Sequence, residues 1–303
     1  MKKLFLESII TPFLHRPLCF IKYFLLCLIG IRKWKAFFSY YEDTTALNRV
    51  CFFKTLYFNL RSLPLHQAMK MPIYIYEDVE IISSAGDVMI QCDNISTGMI
   101  KWGWFYGYRS NGVTRINNRG TIIFHGNGKI IRGCEIMTRE GAVLEVGHDF
   151  FFGEGFMIYC WDNIVIGNHP RFAYNSQIFD TDFHYSMNTS TGEVRRRCKP
   201  VRIGDYNWIG NNTTIKKGTV TPNHIVVAAA YCVLAKDYSK DIPEYSVIGG
   251  TPVRLLKKDY SRIWNNEHKR IAEISKWFNE HPASKIFNYD VSNVPFITYT
   301  EII

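Results

Sequence analysis

A chain of 303 residues is long enough for one large domain or two small ones. At 47% hydrophobic and 15% aromatic residues it can bury a core, which excludes a disordered chain. The formal net charge of +9 points to an anionic partner such as a nucleotide, a phosphorylated carrier, an acidic glycan or a membrane surface. Nucleic acid is disfavoured because the basic residues are mostly spread along the chain, the densest cluster being Arg195, Arg196, Arg197, Lys199 and Arg202. The eight cysteines are scattered, with no CxxC pair or zinc-like spacing, as expected of reduced thiols in a cytoplasmic protein.

Residues 1–70 read as a helical N-terminal extension. Their apolar run, Leu18–Ile31, is interrupted by Lys22 and is short for a bilayer span. Glu7, Pro12, His15 and Arg16 precede it and no small-residue cleavage site follows, which argues against a signal peptide. Packing on the protein body is favoured over an interfacial helix flanked by Lys22, Arg32, Lys33 and Lys35. Peripheral contact with the inner membrane stays open. Next, VEIIS (79–83), VMIQC (88–92) and MIKWG (99–103) predict strands separated by turn residues. They read as early, irregular coils of the pattern that follows, with a generic β-sandwich as the competing reading of 71–121.

From Phe124 the apolar residues recur every six positions: Phe124, Ile130, Ile136; Val146, Phe152, Ile158; Ile166, Phe172, Ile178; and then Ile203, Ile209, Ile215, Thr221, Val227 and Val233. A helix repeats near 3.6 and a half-buried strand at 2. A repeat of six fits a solenoid in which every third short strand completes a coil and each repeated residue points into a narrow triangular core. Small residues at Gly204, Gly210 and Ala228 let the chain turn its corners tightly. The earlier sets begin 22 and 20 residues apart rather than 18, and the excess is assigned to bulges or loops at one corner. At the far end, 261–280 predicts a helix with Ile263, Trp264, Ile271, Ile274, Trp277 and Phe278 on one face and Ser261 as N-cap.

The segments KPVRIGDYNWIGNNTTIKKGT (199–219), AAAYCVLAKD (228–237) and YSVIGGTPVRLLKK (245–258) resemble the hexapeptide-repeat acyltransferases. The similarity is greatest to the maltose and galactoside O-acetyltransferase branch and its capsule and O-antigen relatives. It covers 122–258 well, and KTLYFNLRSLPLHQAMKMPIYIY (54–76) resembles, less specifically, the N-terminal segment of some bacterial polysaccharide acyltransferases. The resemblance implies an all-β solenoid, a left-handed parallel β-helix over 71–258, with helical extensions at 1–70 and 259–303. It also implies a homotrimer with sites between subunits, acetyl-CoA as co-substrate, no metal, and a saccharide or lipid-linked saccharide acceptor.

The stretch FDTDFHY (179–185) interrupts the count of six. In the family a histidine on the loop before the KPV block is the general base, and His184 matches it. Independently of any name, an alcohol is a poor nucleophile at neutral pH and an imidazole within reach can take its proton. A carboxylate on the other ring nitrogen would orient that imidazole. Asp182 would share a face with His184 if the strand continues, with Asp180 one step further; capping of turns is the alternative for both. By resemblance, Asn211 and Ala229 match cofactor contacts, Arg254 and Lys257 match basic residues that bind CoA phosphates, and Trp208 lines the site wall. The segment KDYSKDIP (236–243) is longer than the family's turn, which puts CoA contacts at Leu234 and Ala235 in doubt. Glu154 and Asp162 lie near the branch's substrate-binding positions without aligning cleanly, so the acceptor is not expected to be a simple galactoside or maltose; Glu154 is kept as a substrate-binding candidate. Arg195, Arg196 and Arg197, in the loop 187–199, are candidates for an acidic sugar or a diphosphate carrier, with a solvated basic loop as the alternative. Other readings are a non-catalytic trimeric scaffold that binds glycans, an N-acetyltransferase acting on an amino sugar, and a γ-carbonic-anhydrase-like zinc enzyme. The last needs three converging histidines, and His169 and His184 are too far apart in sequence for its close pair.

Overall fold

The structure is a computed structural model that describes residues 50–105, 112–229, 231–263 and 267–288. The apolar run 18–31 and Trp264 lie outside the described residues, as does most of 1–70. The chain divides into two compact units, 1–262 and 263–303.

In the first unit the repeats of six become three columns of buried side chains, one on each face of a prism. Ile75, Trp102, Ile130, Phe152, Phe172, Ile209, Val227 and Ile248 stand in register in the first sheet. Ile116, Ile136, Ile158, Ile178, Ile215 and Leu234 do so in the second, and Ile90, Phe124, Val146, Ile166 and Ile203 in the third. All these columns are buried. Among the described residues the sheets hold nine, seven and five strands, and every pairing is parallel except the last, Ser246–Gly249 with Arg254–Lys258. The strands at Val79–Ser84, Asp87–Ile90 and Ile100–Trp104 join these same sheets, so 71–121 is a set of early coils and not a sandwich.

The register also corrects the sequence reading at one point. Leu234, not Val233, pairs with Ile215 and is buried, while Val233 is half-exposed. The corner after Val227 holds one more residue than the corner after Ile209, so the count slips from six to seven. Elsewhere corners are tight for a steric reason: a Cβ on Gly147 would collide with the Gly167 carbonyl, and one on Gly204 with the Pro222 carbonyl.

Between Phe124 and Ile203 surplus chain accumulates at one corner, between the second and third sheets. It amounts to residues 139–142 in one coil, 161–162 in the next and 180–200 in the third. The long loop is therefore the same corner grown outward.

The N-terminal end of the prism is closed by α1 (Phe52–Ser62) and α2 (Leu65–Ala68). Phe58 of α1 meets Trp102 edge-on at 5.7 Å. Polar side chains act as the missing next strand. Asn59 accepts from the Ile73 N–H at 3.1 Å and donates to its carbonyl at 2.7 Å. Gln67 does the same for Ile90, at 3.0 and 2.8 Å. The Thr55 hydroxyl accepts from the Ile75 N–H at 2.9 Å. An open sheet edge is thereby satisfied without leaving unpaired amides.

The second unit contains α3 (Glu267–Glu280), where Trp277 meets Phe278, His281 and Phe287. Ser261 is not a helix N-cap: residues 262 and 263 after it are not helical, and the Ser261 hydroxyl donates to the Arg262 carbonyl. Among the described residues no helix is long and apolar enough to cross a membrane.

Candidate active site

The loop 180–200 is an arm with paired legs. Lys199 N–H donates to the Asp180 carbonyl and Asp182 N–H to the Arg197 carbonyl, both at 2.9 Å. These two bonds pair Thr181 with Cys198, and further out Met187 bridges Val194, both antiparallel. At the bend Phe183 adopts φ +61°, its N–H bonds the Thr181 hydroxyl at 3.0 Å, and His184 N–H bonds the Asp182 carbonyl at 2.6 Å. The left-handed residue turns the chain and leaves the His184 ring exposed.

The two aspartates do other work. Asp180 is fully buried, and its two carboxylate oxygens accept the N–H groups of Trp161 and Asp162, each at 2.8 Å. Burial raises its carboxyl against the pull of those two hydrogen bonds. Asp182 pairs with Lys217 Nζ at 2.6 Å, and the same ammonium donates to the Arg196 carbonyl at 2.9 Å. Neither carboxylate is hydrogen-bonded to the imidazole. The expectation that one of them orients His184 needed an extended strand through 180–184, and the turn at Phe183 removes that geometry. Asp180 instead ties the arm's root to the coil below, and Lys217 straps its two legs together. Lys217 was not singled out in the sequence; its only signal is the basic pair in IKKGT.

Aromatic rings pack under the bend. Phe183 meets Tyr159, Trp161 and Phe179 at 5.9, 5.4 and 5.6 Å between ring centroids. The Arg197 guanidinium lies 4.9 Å over Trp161 and 5.2 Å over Tyr185, and Arg139 lies 5.2 Å over the same indole. Arg139 and Trp161 belong to the surplus corner segments of the two preceding coils. Arg195 is paired with Glu193 at 2.9 Å, and Arg196 is exposed.

The remaining candidates sit elsewhere on the prism. Asn211, Ala229 and Glu154 occupy the corner between the first and second sheets, with Ala229 exposed above Gly210. One short strand of the second sheet, roughly 10 Å, separates that corner from the arm's root. Trp208 stands on the outer face of the first sheet with 43% of its surface open, in register with Arg171 and Val226. Arg254 and Lys257 are exposed on the final antiparallel strand, with Lys257 4.7 Å over Tyr260. The structure thus groups His184 with Arg197 and Asp182, and separately groups Asn211, Ala229 and Glu154.

The corner between the third and first sheets carries a different cluster. His169 Nδ1 and Arg171 both meet the Asp149 carboxylate, at 3.0 and 2.7 Å. Burial opposes ionisation of Asp149, but His169 and Arg171 outweigh it and hold the carboxyl below its ordinary range. His169, Tyr206, His224 and Tyr245 stack one above another with centroids 4.5, 4.7 and 4.3 Å apart. Among the described residues no group of three or more His, Cys, Asp or Glu side chains could hold a metal ion.

No family model matches the sequence. Among curated proteins, the putative lipopolysaccharide biosynthesis O-acetyl transferase WbbJ of Escherichia coli K12 is 26% identical over 179 residues, 49% of this chain and 86% of WbbJ. The polysialic acid O-acetyltransferase of Escherichia coli O1:K1 is 24% identical over 151 residues, 49% of this chain and 46% of that protein. This chain thus spans most of the first relative and about half of the second. Among solved structures, the polySia-specific acetyltransferase NeuO matches with a TM-score of 0.50 at 17% identity, covering 73% of this chain and 91% of that one, and shows the same left-handed parallel β-helix. The chain is a homologue of the O-acetyltransferases of the hexapeptide-repeat family.

Proposed function

We propose that the chain is an O-acetyltransferase that moves an acetyl group from acetyl-CoA to a hydroxyl of a saccharide or surface-polysaccharide precursor, with His184 as general base. The observation that carries this reading is the exposed imidazole on the arm 180–200 that leaves the coil count, on a frame whose relatives are O-acetyltransferases. His184 takes the acceptor's hydroxyl proton as the oxygen attacks the thioester carbonyl in a ternary complex. The carbon–sulfur bond then breaks, and the imidazolium returns its proton to the departing CoA thiolate. Holding both reactants together supplies much of the acceleration.

In this reading Trp208, Asn211, Ala229, Arg254 and Lys257 serve CoA, with Arg254 and Lys257 as charges for its phosphates. The grouping of the candidates supports an assembly of copies, proposed as a homotrimer, in which the arm of one chain meets the Asn211–Ala229 corner of its neighbour. The proposed location is the cytoplasm, where a lipid-linked acceptor would be met at the inner membrane surface.

The test is thiol release from acetyl-CoA by the purified protein against a panel of bacterial saccharides and sugar nucleotides. Release that depends on a saccharide acceptor and yields an ester is expected. Release only with amino sugars, yielding an amide, would replace the O-acceptor with an N-acceptor. Partner binding by the arm with no CoA binding would replace catalysis with a scaffold role.

A further inference from the structure

Arg197 is held in an unusual way for a surface arginine. Its guanidinium lies over the rings of both Trp161 and Tyr185. A cation–π contact consumes no N–H group, so the N–H fork, the part that recognises oxyanions in pairs, is not used up by the rings. Among the described residues no carboxylate is paired with it. Three other arginines of this unit, by contrast, meet carboxylates: Arg132 with Asp78, Arg171 with Asp149, Arg195 with Glu193.

The local acids are withheld from Arg197 by specific partners. Asp182, whose N–H bonds the Arg197 carbonyl, has its carboxylate on Lys217. Asp180 is buried on the Trp161 and Asp162 amides. Arg139 adds a second cation over the same indole, and Arg196 and Lys199 are exposed nearby in the chain. The result is a pre-organised, uncompensated guanidinium at the root of the turn that presents His184, over the ring of the residue next to it.

Resting on the acetyltransferase reading, we infer that Arg197 is the specificity-determining contact for an acidic saccharide acceptor, whose carboxylate or phosphate it grips beside the hydroxyl facing His184. The planar fork matches two oxygens of either group. Because the rings already fix the fork, little freedom is lost on binding.

The test begins with an array of carboxylated, phosphorylated and neutral bacterial saccharides probed with the full-length protein. Calorimetric titration then compares the best anionic ligand with its methyl ester or dephosphorylated form. Wild type is expected to select anionic saccharides, and the set it selects separates carboxylate from phosphate. Arg197→Gln should weaken the anionic ligand about tenfold or more and leave its neutral form unchanged. Arg197→Lys, which keeps charge but not the fork, should recover part of the loss. If Arg197→Gln fails to fold, the wild-type preference for the acidic ligand over its neutral form carries the test. Binding restricted to neutral saccharides, no binding to any anionic one, or an unchanged affinity in Arg197→Gln would overturn the inference. Arg197-dependent binding of an acidic saccharide that is never acetylated would instead count against the acetyltransferase reading alone.

Discussion

Phe183 has a φ of +61°, and that one residue decides what His184 can touch. The imidazole was legible in the sequence because it stands at a fixed place before the KPV block. Its surroundings were not, because the alternation of faces along 180–184 holds only for extended backbone. Lys217, 35 residues downstream of Asp182, was invisible for the same reason: only folding brings it to both legs of the arm. An ion pair this close to solvent contributes on the order of 0–1 kcal/mol to stability. Its value to the reaction is positional, since small displacements of a reacting group cost up to roughly a hundredfold in rate. Lys217→Met is therefore expected to lower kcat by roughly tenfold or more, with the melting temperature nearly unchanged and activity partly restored by Lys217→Arg. A loss of melting temperature that accounts for the lost activity would reduce Lys217 to a structural residue.

At the scale of elements, the repeat of six was readable wherever corners keep a constant length. It failed where they do not, as at Val233 and Leu234. The surplus at the corner between the second and third sheets was read correctly as loops, but the sequence does not say that three coils place Arg139, Trp161 and Arg197 in one stack. Nor could it show that α1 and α2 close the sheet edges with side-chain amides, which depends on which helical face meets the prism. Asn59 is the sharpest case, since it serves both backbone groups of Ile73. Asn59→Leu leaves a buried N–H and carbonyl unsatisfied, and each such group costs about 1–3 kcal/mol. Urea unfolding should show a loss of about 2–6 kcal/mol. A loss under about 1 kcal/mol would mean that water or another side chain replaces the amide.

The whole molecule carries a pH dependence written into its third corner. Burial between Tyr206 and Tyr245 pushes His224 down to about 4 from an ordinary 6.5, and burial lowers His148 in the same direction. Between those two pH values the unfolded chain binds a proton that folded His224 refuses. Stability therefore falls as pH drops through that window and is fully regained above it. The term for His224 is on the order of 3 kcal/mol. His224→Phe, which keeps an aromatic ring in the stack, should make the decline of the urea midpoint between pH 7 and 4.5 shallower, with a remainder left because His148 shifts in the same direction. An identical decline in both proteins would place the dependence elsewhere.

The account as a whole turns on the imidazole near the root of the arm 180–200. The most direct measurement is acceptor-dependent thiol release from acetyl-CoA by wild type and His184→Ala at matched CoA occupancy. The predicted result is a fall in kcat of roughly a hundredfold or more with CoA affinity retained, as removal of a general base requires. Equal turnover by the two proteins would contradict it and move the base to another residue.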